Sequence, residues 1–180
     1  MVTRKKNMTK QVSGAIVDLG NVIIAHWLSN ITPENFNKID YNSIPEVPEV
    51  FESLRRLNEK FGGNITVVYK ATDVATEKIL AWLAHHKFTE RTGIPCERVI
   101  RTEGGRDKSV HINQSSSSHC GTTIVVDDRL EVLNLFIGRV PHLFLFHPQS
   151  KEVEQFNNEG TLSQVHVVET WKEIEEILNK

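Results

Sequence analysis

The stretch Gly14-Ala-Ile-Val-Asp18-Leu-Gly20-Asn21-Val22-Ile23-Ile24 contains a carboxylate between two short apolar runs. The first run favours a buried β-strand that ends at Asp18. In an open parallel sheet, ligands bind outside the carboxyl ends of the strands, so this position makes Asp18 a candidate functional residue. Asp is also common in turns, and this segment taken alone is equally compatible with a purely structural Asp18 ahead of Gly20.

Further β-rich runs alternate with segments of helical periodicity along the chain. The strand candidates are residues 14–19, 64–69, 98–101, 122–126 and 142–146. This alternation predicts parallel strands joined by crossover helices. We therefore expect a three-layer, doubly wound, Rossmann-like α/β domain over residues 13–180, preceded by a mobile basic tail over residues 1–12.

Three apolar stripes at helical spacing are expected to pack against this sheet. They consist of Val50, Leu54 and Leu57, then Ile79, Leu80 and Leu83, and finally Trp171, Ile174, Ile177 and Leu178. Two glycine pairs, Gly62-Gly63 and Gly104-Gly105, are expected to end helices or form tight turns. A turn is expected over residues 88–93, and a surface loop over residues 115–118.

The composition excludes several classes of function. The chain has 180 residues, a net charge of -2 and a pI near 6.4, so no global field favours nucleic acid or anionic membranes. No apolar run approaches the roughly 20 residues that span a bilayer, and no apolar segment of a secretory signal follows the basic N-terminus. Cys96 and Cys120 lack metal-binding spacing and fit reduced thiols. We expect a soluble, cytoplasmic protein.

A second acidic motif, Asp127-Asp128-Arg129, follows the apolar run that begins at Thr122. Mg²⁺ prefers oxygen ligands and commonly uses one or two carboxylates together with water and phosphate, so Asp18 with Asp127 or Asp128 is a plausible site. The alternative is that Asp127 and Asp128 only cap the helix that follows.

A lysine lies between the two acidic motifs. The sequence Gly105-Arg-Asp-Lys108 is expected to open a helical segment, which would bring an ammonium group close to the same sheet edge. Most lysines are solvated surface charges, and only the flanking acidic motifs make Lys108 a candidate.

The order of these features resembles the haloacid dehalogenase-like superfamily, over roughly residues 13–146. Its members carry an Asp after the first strand, a Ser or Thr after the second, a Lys before the fourth and acidic residues after the fourth. Val17-Asp-Leu-Gly-Asn-Val-Ile-Ile is similar to the nucleophile loop of members with a D-x-G-N-V variant, which include some sugar-phosphate phosphatases. Asp127-Asp128-Arg129 is similar to the metal motif of small nucleotidases of the superfamily.

This resemblance implies a Mg²⁺-dependent phosphohydrolase in which Asp18 attacks a phosphoryl group and forms an aspartyl-phosphate. The ion would be held by Asp18, the main-chain carbonyl of Gly20, and Asp127 or Asp128. Lys108 and Thr72 would take part in catalysis. The phosphate contacts implied are those of Thr72, Lys70, Lys108, Gly20 and Asn21.

Two positions depart from the pattern of the superfamily. Gly20 stands where typical phosphatases carry a second Asp that serves as general acid and base, and Gly cannot transfer a proton. This favours slow turnover or a good leaving group, or alternatively a catalytically weak protein that binds a phosphorylated ligand or a protein partner.

At the Ser/Thr position, Thr72 fits only if the second strand extends beyond its apolar pattern, and Tyr69 is the alternative. Lys70 is either an added cation near the phosphate or a loop lysine.

The segments after the first and second strands are too short for a cap domain. The resemblance therefore implies a capless protein, open to a large phosphorylated substrate or closed by a neighbouring subunit, so a homo-oligomer is an open expectation. His26 is the one histidine expected near the site. The order of the motifs excludes a receiver domain, and the lack of G-x-G-x-x-G argues against a nicotinamide-binding domain.

Overall fold

The computed structural model describes residues 14–29, 31–32, 35–102, 121–156 and 160–180. The expected basic tail, the Gly104-Gly105 turn, Lys108 and the four-serine loop lie outside these residues. Within the described residues, helices and strands alternate in the order that the sequence predicts.

Six parallel strands form one sheet in the described part of the chain, in the order β3-β2-β1-β4-β5-β6. The strands are β1 (Gly14–Asp18), β2 (Ile65–Lys70), β3 (Val99–Thr102), β4 (Thr122–Asp127), β5 (His142–Phe146) and β6 (His166–Val168). The first five match the expected strands within one or two residues at each end. The sixth was not predicted, because a three-residue strand is too short to show a period.

Helices cover both faces of the sheet. They are α1 (Val50–Lys60), α2 (Asp73–His85), α3 (Phe88–Thr92), α4 (Leu130–Asn134), α5 (Ser150–Phe156) and α6 (Trp171–Leu178). The positive φ angles of Gly62 and Gly63, 61° and 84°, turn the chain from α1 into β2, as the glycine pair predicts. The segment expected as a turn over residues 88–93 is instead the short helix α3, and Gly93 ends it in a left-handed conformation.

Successive strand residues point to opposite sides of the sheet and build two separate cores. Ala15 and Val17 pack with α1, α2, α3 and α6, whereas Ile16 packs with α4 and Val153 of α5. Helices on both faces of a parallel sheet confirm the doubly wound, three-layer α/β fold.

Of the three expected apolar stripes, the one on α2 needs a correction. Ile79 and Leu83 are buried, but Leu80 is 50% exposed, and Trp82 fills the core in its place. The indole of Trp82 also donates a hydrogen bond to the carbonyl of Ile44 over 2.8 Å. In the C-terminal helix α6, Trp171 and Ile174 are fully buried, while Ile177 and Leu178 are partly buried.

The strand order reverses between β1 and β4. From β1 the chain moves outward through β2 to β3, then returns to β4 and moves outward the other way. Open α/β sheets bind ligands at such a reversal, outside the carboxyl ends of the two strands. Asp18 ends β1 and Asp127 ends β4, so both acidic motifs lie at this point. In the described part of the chain, no helix has the length and apolar character needed to cross a membrane.

Candidate functional site

The turn after β1 is rigid and buried. The carbonyl of Leu19 accepts hydrogen bonds from the main-chain N–H groups of Ile23 and Ile24, over 2.9 and 3.0 Å. The apolar residues 22–25 are fully buried, and the indole of Trp171 donates to the carbonyl of Val22 over 2.9 Å. The second apolar run of this motif is therefore a packed turn that fixes Gly20 and Asn21 beside Asp18.

The acidic residues of the two motifs lie on neighbouring strands in matched register. Val17 pairs with Val126, so Asp18 and Asp127 occupy corresponding positions at the ends of β1 and β4. Asp18 is 8% exposed and Asp127 is 1% exposed, whereas Asp128 is half-buried. One oxygen of Asp127 accepts a hydrogen bond from the main-chain N–H of Arg129, which is the N-cap residue of α4, so this contact belongs to the turn before the helix.

A side-chain hydrogen bond connects the two motifs directly. Asn21 Nδ2 donates to Asp128 Oδ2 over 2.8 Å. The other amide atom, Asn21 Oδ1, is buried and has no hydrogen-bond partner among the described residues. A buried acceptor of this kind costs free energy unless ordered water satisfies it.

These residues surround a cleft of about 570 Å³. Its lining includes Asp18, Gly20, Asn21 and Asp128, which belong to the sequence motifs, and also Tyr69 and Lys70 from the end of β2. Five of the residues predicted from sequence to bind metal or phosphate, Lys70 included, thus line one cleft. Asp127 is not part of the lining, so Asp128 is the better placed of the two acidic candidates.

The position at which β2 ends decides which of its hydroxyl-bearing residues lies near Asp18. Asp18 pairs with Val68, and the strand continues through Tyr69 to Lys70. Thr72 is exposed outside the cleft lining, and its hydroxyl accepts a hydrogen bond from the N–H of Ala75 over 3.3 Å as the N-cap of α2. The phosphate-binding role of Thr72 stays a prediction, while Tyr69 occupies the position nearer to Asp18.

The donor set of the cleft suits a hard cation. Among the described residues, no group of three or more acidic, His or Cys side chains forms a complete metal cage. The available ligands are carboxylate oxygens of Asp18 and Asp128 and the Gly20 carbonyl. Mg²⁺ needs few protein ligands because it keeps waters and shares the oxygens of a bound phosphate, so this incomplete oxygen set fits Mg²⁺ better than zinc.

His26 lies against the glycine that replaces the expected general acid. A Cβ atom at Gly20 would be 3.4 Å from Cε1 and Nδ1 of His26 and 3.9 Å from Oδ2 of Asp18. The other ring nitrogen, Nε2, is hydrogen-bonded to the hydroxyl of Tyr41 over 2.7 Å. Burial lowers the pKa of His26 to about 4 and raises that of Tyr41, so both side chains are neutral near pH 7.

Sequence reasoning did not identify all the residues of the site. Thr102, at the end of β3, lines the cleft, as do Arg129 and Glu131, which form an ion pair with each other. Tyr41 was not singled out because its contact with His26 depends on the fold of a loop. Lys108 lies outside the described residues, so its role stays a prediction.

No protein family matches the chain by sequence profile, and no curated protein matches it by sequence. Solved structures do match by fold. The D,D-heptose 1,7-bisphosphate phosphatase from B. bronchiseptica, crystallised with magnesium and phosphate, has a TM-score of 0.61 at 15% identity, over 92% of this chain and 97% of that one.

Two further structures support the same fold. A hydrolase of the haloacid dehalogenase (HAD) family from Deinococcus radiodurans R1, with bound phosphate and sodium, has a TM-score of 0.61 at 12% identity, over 93% of this chain and 95% of that one. A haloacid dehalogenase-like hydrolase from Burkholderia xenovorans LB400 has a TM-score of 0.58 at 12% identity, over 92% of this chain and 95% of that one. The chain therefore has the haloacid dehalogenase-like fold, as the order of its motifs indicates.

Proposed function

We propose that this protein is a Mg²⁺-dependent phosphohydrolase that uses Asp18 as its nucleophile. The observation that carries the proposal is the position of Asp18, Gly20 and Asp128 on one cleft at the reversal of strand order. Three solved hydrolases share the fold, and two of them were crystallised with phosphate. Their low identity to this chain means that the chemistry is argued from its own residues.

In the proposed reaction, a carboxylate oxygen of Asp18 attacks the phosphorus of a phosphomonoester. The bond from phosphorus to the ester oxygen breaks, an aspartyl-phosphate forms, and the alcohol leaves after its oxygen takes a proton from water. Water then attacks this phosphorus, which releases inorganic phosphate and regenerates the Asp18 carboxylate. The two-step route suits a buried and fixed carboxylate, because orientation is established before the substrate arrives.

Mg²⁺ would be held by Asp18, the Gly20 carbonyl and Asp128, with Asp127 as the alternative acidic ligand. When bound, it would neutralise charge on the phosphate and on the acidic residues around it. Lys70 lines the cleft and supplies a cation for the phosphate oxygens, and Lys108 is proposed to supply a second. Tyr69 is the candidate hydroxyl donor at the end of β2.

Gly20 determines which substrates the protein can hydrolyse quickly. A side chain at this position would stand close to Asp18 Oδ2 and could protonate the leaving oxygen, whereas Gly20 cannot. We therefore propose slow turnover of alkyl phosphates and faster turnover of esters with good leaving groups. The same glycine also favours the alternative function, a catalytically weak protein that binds a phosphorylated ligand or a protein partner.

The segment between β2 and β3 bears on access to the cleft. It consists of α2, α3 and a 3₁₀ turn over Cys96–Arg98, all of which are packed beside the sheet. This supports the proposal that the protein has no cap domain. A phosphorylated macromolecule, a small phosphate ester or a second copy of the chain could then reach the site directly.

Phosphate release from a panel of phosphomonoesters, with and without Mg²⁺, tests the proposal. We expect release that depends on Mg²⁺ and is reduced at least about 100-fold in Asp18→Asn, which keeps the shape of the residue and removes its charge. Asp128→Asn should weaken Mg²⁺ binding more than Asp127→Asn, because only Asp128 lines the cleft. Release that survives Asp18→Asn would exclude the nucleophile, and Mg²⁺ binding without any release would favour the alternative.

A further inference from the structure

A second hollow of about 400 Å³ lies beside the cleft and shares two of its residues. Asn21 and His26 line both spaces. The remaining lining includes three aromatic side chains, Trp27, Phe36 and Tyr41. The hollow is therefore adjacent to the cleft that contains Asp18, and Asn21 and His26 form their common boundary.

The chemistry of the hollow differs from that of the cleft. The cleft is lined by two acidic residues, Asp18 and Asp128, and by the basic residue Lys70. Among the described residues that line the hollow, none is Asp, Glu, Lys or Arg. The ammonium of Lys78 lies outside this lining, 5.1 Å from the centroid of the Phe36 ring, and donates to the carbonyls of Phe36 and Ile39. The described lining thus offers no charged partner, whereas an uncharged planar group would contact aromatic surface.

The aromatic walls are held in place by other contacts. The ring of Trp27 lies against that of His147, with centroids 4.5 Å apart. Phe36 meets Tyr41 edge to face at 5.9 Å, and the Tyr41 hydroxyl is bonded to His26. A hollow with fixed walls loses little conformational entropy when it binds a ligand.

Asn21 lies at the boundary of the two spaces and is fixed there. Its Nδ2 is bonded to Asp128, and the residue lines both the cleft and the hollow. A ligand with its phosphate in the cleft at Asp18 can therefore extend past Asn21 into the hollow.

We propose that the hollow binds the organic part of the substrate, and that this part carries an uncharged aromatic ring. The inference rests on the proposed function, in which the phosphoryl group lies in the cleft at Asp18. It predicts discrimination against substrates whose organic part carries a second phosphate or a carboxylate. It also predicts that an aromatic ring binds better than a saturated ring of the same size.

The test compares two non-hydrolysable ligands that differ only in aromatic character, benzylphosphonate and cyclohexylmethylphosphonate, by calorimetric titration of the full chain with Mg²⁺. We expect benzylphosphonate to bind about threefold or more tightly, the effect of one favourable aromatic contact. Trp27→Leu should remove this preference while keeping an apolar side chain. Leu80→Ala, on an exposed position of α2 outside both spaces, should retain it.

Three outcomes would overturn the inference: equal affinities for the two phosphonates, a preference that persists in Trp27→Leu, or no binding of either ligand. Hydrolysis of benzyl phosphate and cyclohexylmethyl phosphate separates this outcome from failure of the proposed function. Both esters release a primary alcohol, so leaving-group reactivity is nearly matched. Hydrolysis of both at equal efficiency would reject the aromatic site and keep the phosphatase. Selective binding without phosphate release from these esters or from an aryl phosphate would keep the site and reject the phosphatase.

Discussion

Asn21 Nδ2 and Asp128 Oδ2 are 2.8 Å apart, although the two residues are separated by 107 positions in the chain. The bond ties the turn after β1 to the residue that follows β4. Asn21 also adopts a φ angle of 58°, a left-handed conformation that Asn tolerates better than most side chains. Both its backbone and its side chain therefore favour Asn at this position.

Replacing the amide of Asn21 with a carboxylate should make the stability of the protein depend on a bound cation. In Asn21→Asp, two carboxylates would face each other where a hydrogen bond now exists. Without metal, we expect the free energy of unfolding to fall by about 1–3 kcal/mol, and Mg²⁺ to recover part of this loss. Urea unfolding in EDTA and in excess Mg²⁺ measures both effects.

Asn21→Gly is the matched control, because Gly accepts the same backbone conformation and adds no charge. It should lose some stability, and Mg²⁺ should stabilise it no more than the wild type. If Asn21→Asp and Asn21→Gly respond equally to Mg²⁺, the divalent-cation site does not lie at Asp128.

A carboxylate at residue 20 should accelerate the hydrolysis of poor leaving groups. Gly20 is outside the left-handed region, and a Cβ there would make contacts of 3.4 Å or more, so the backbone can accept a side chain. We expect Gly20→Asp to raise kcat for alkyl phosphates about tenfold or more by supplying a proton donor. Aryl phosphates, which need little protonation of the leaving oxygen, should change less.

Gly20→Asn provides the comparison for this variant, since it adds nearly the same volume without a transferable proton. Steady-state kinetics with one alkyl and one aryl ester distinguish the two variants. Equal rates in Gly20→Asp and Gly20→Asn would show that the missing general acid does not limit turnover.

The sequence predicts the sheet and the edge at which the acidic motifs lie because both depend on local patterns. Apolar runs such as Thr122–Val126 identify strands, and the Asp residues that follow two of these runs identify their carboxyl ends. The cores on the two faces follow from alternation within each strand. The exposed Leu80 shows the limit of short apolar runs, because Ile79, Trp82 and Leu83 share the i, i+3, i+4 face that is buried and Leu80 lies off that face.

Contacts within the site could not be predicted in the same way. His26 meets Tyr41 only because the intervening loop folds back, and no local pattern encodes that approach. The end of β2 was ambiguous for a related reason. Pairing with β3 extends the strand to Lys70, and apolar periodicity alone does not report such pairing.

Thr72 should contribute to stability rather than to phosphate binding. Its hydroxyl caps α2, so Thr72→Ala should lower the free energy of unfolding by about 1 kcal/mol, and Thr72→Ser should retain most of it. Inhibition by inorganic phosphate should be unchanged in Thr72→Ala and weakened in Tyr69→Phe, since only Tyr69 lines the cleft. Weaker phosphate inhibition in Thr72→Ala would restore Thr72 as a ligand.

His26 should make the metal-free protein less stable in mild acid. Burial lowers its pKa from 6.5 to about 4, so the unfolded chain takes up a proton at a pH where the folded protein does not. The contribution of His26 to stability is therefore complete above pH 6.5 and is lost as the pH falls from 6.5 towards 4. Between pH 7.5 and pH 5, this single group should cost about 2 kcal/mol.

His26→Gln isolates this effect from the other groups that titrate in the same range. Gln does not ionise, and its amide can still reach the hydroxyl of Tyr41, which His26 contacts over 2.7 Å. With EDTA present, the free energy of unfolding of the variant should fall by about 2 kcal/mol less than that of the wild type over the same pH interval. Urea unfolding at pH 7.5, 6 and 5 measures the two curves. Parallel curves would mean that His26 is solvated in the folded protein. A solvated imidazole becomes charged in mild acid, so His26 would then not form an uncharged boundary between the cleft and the hollow.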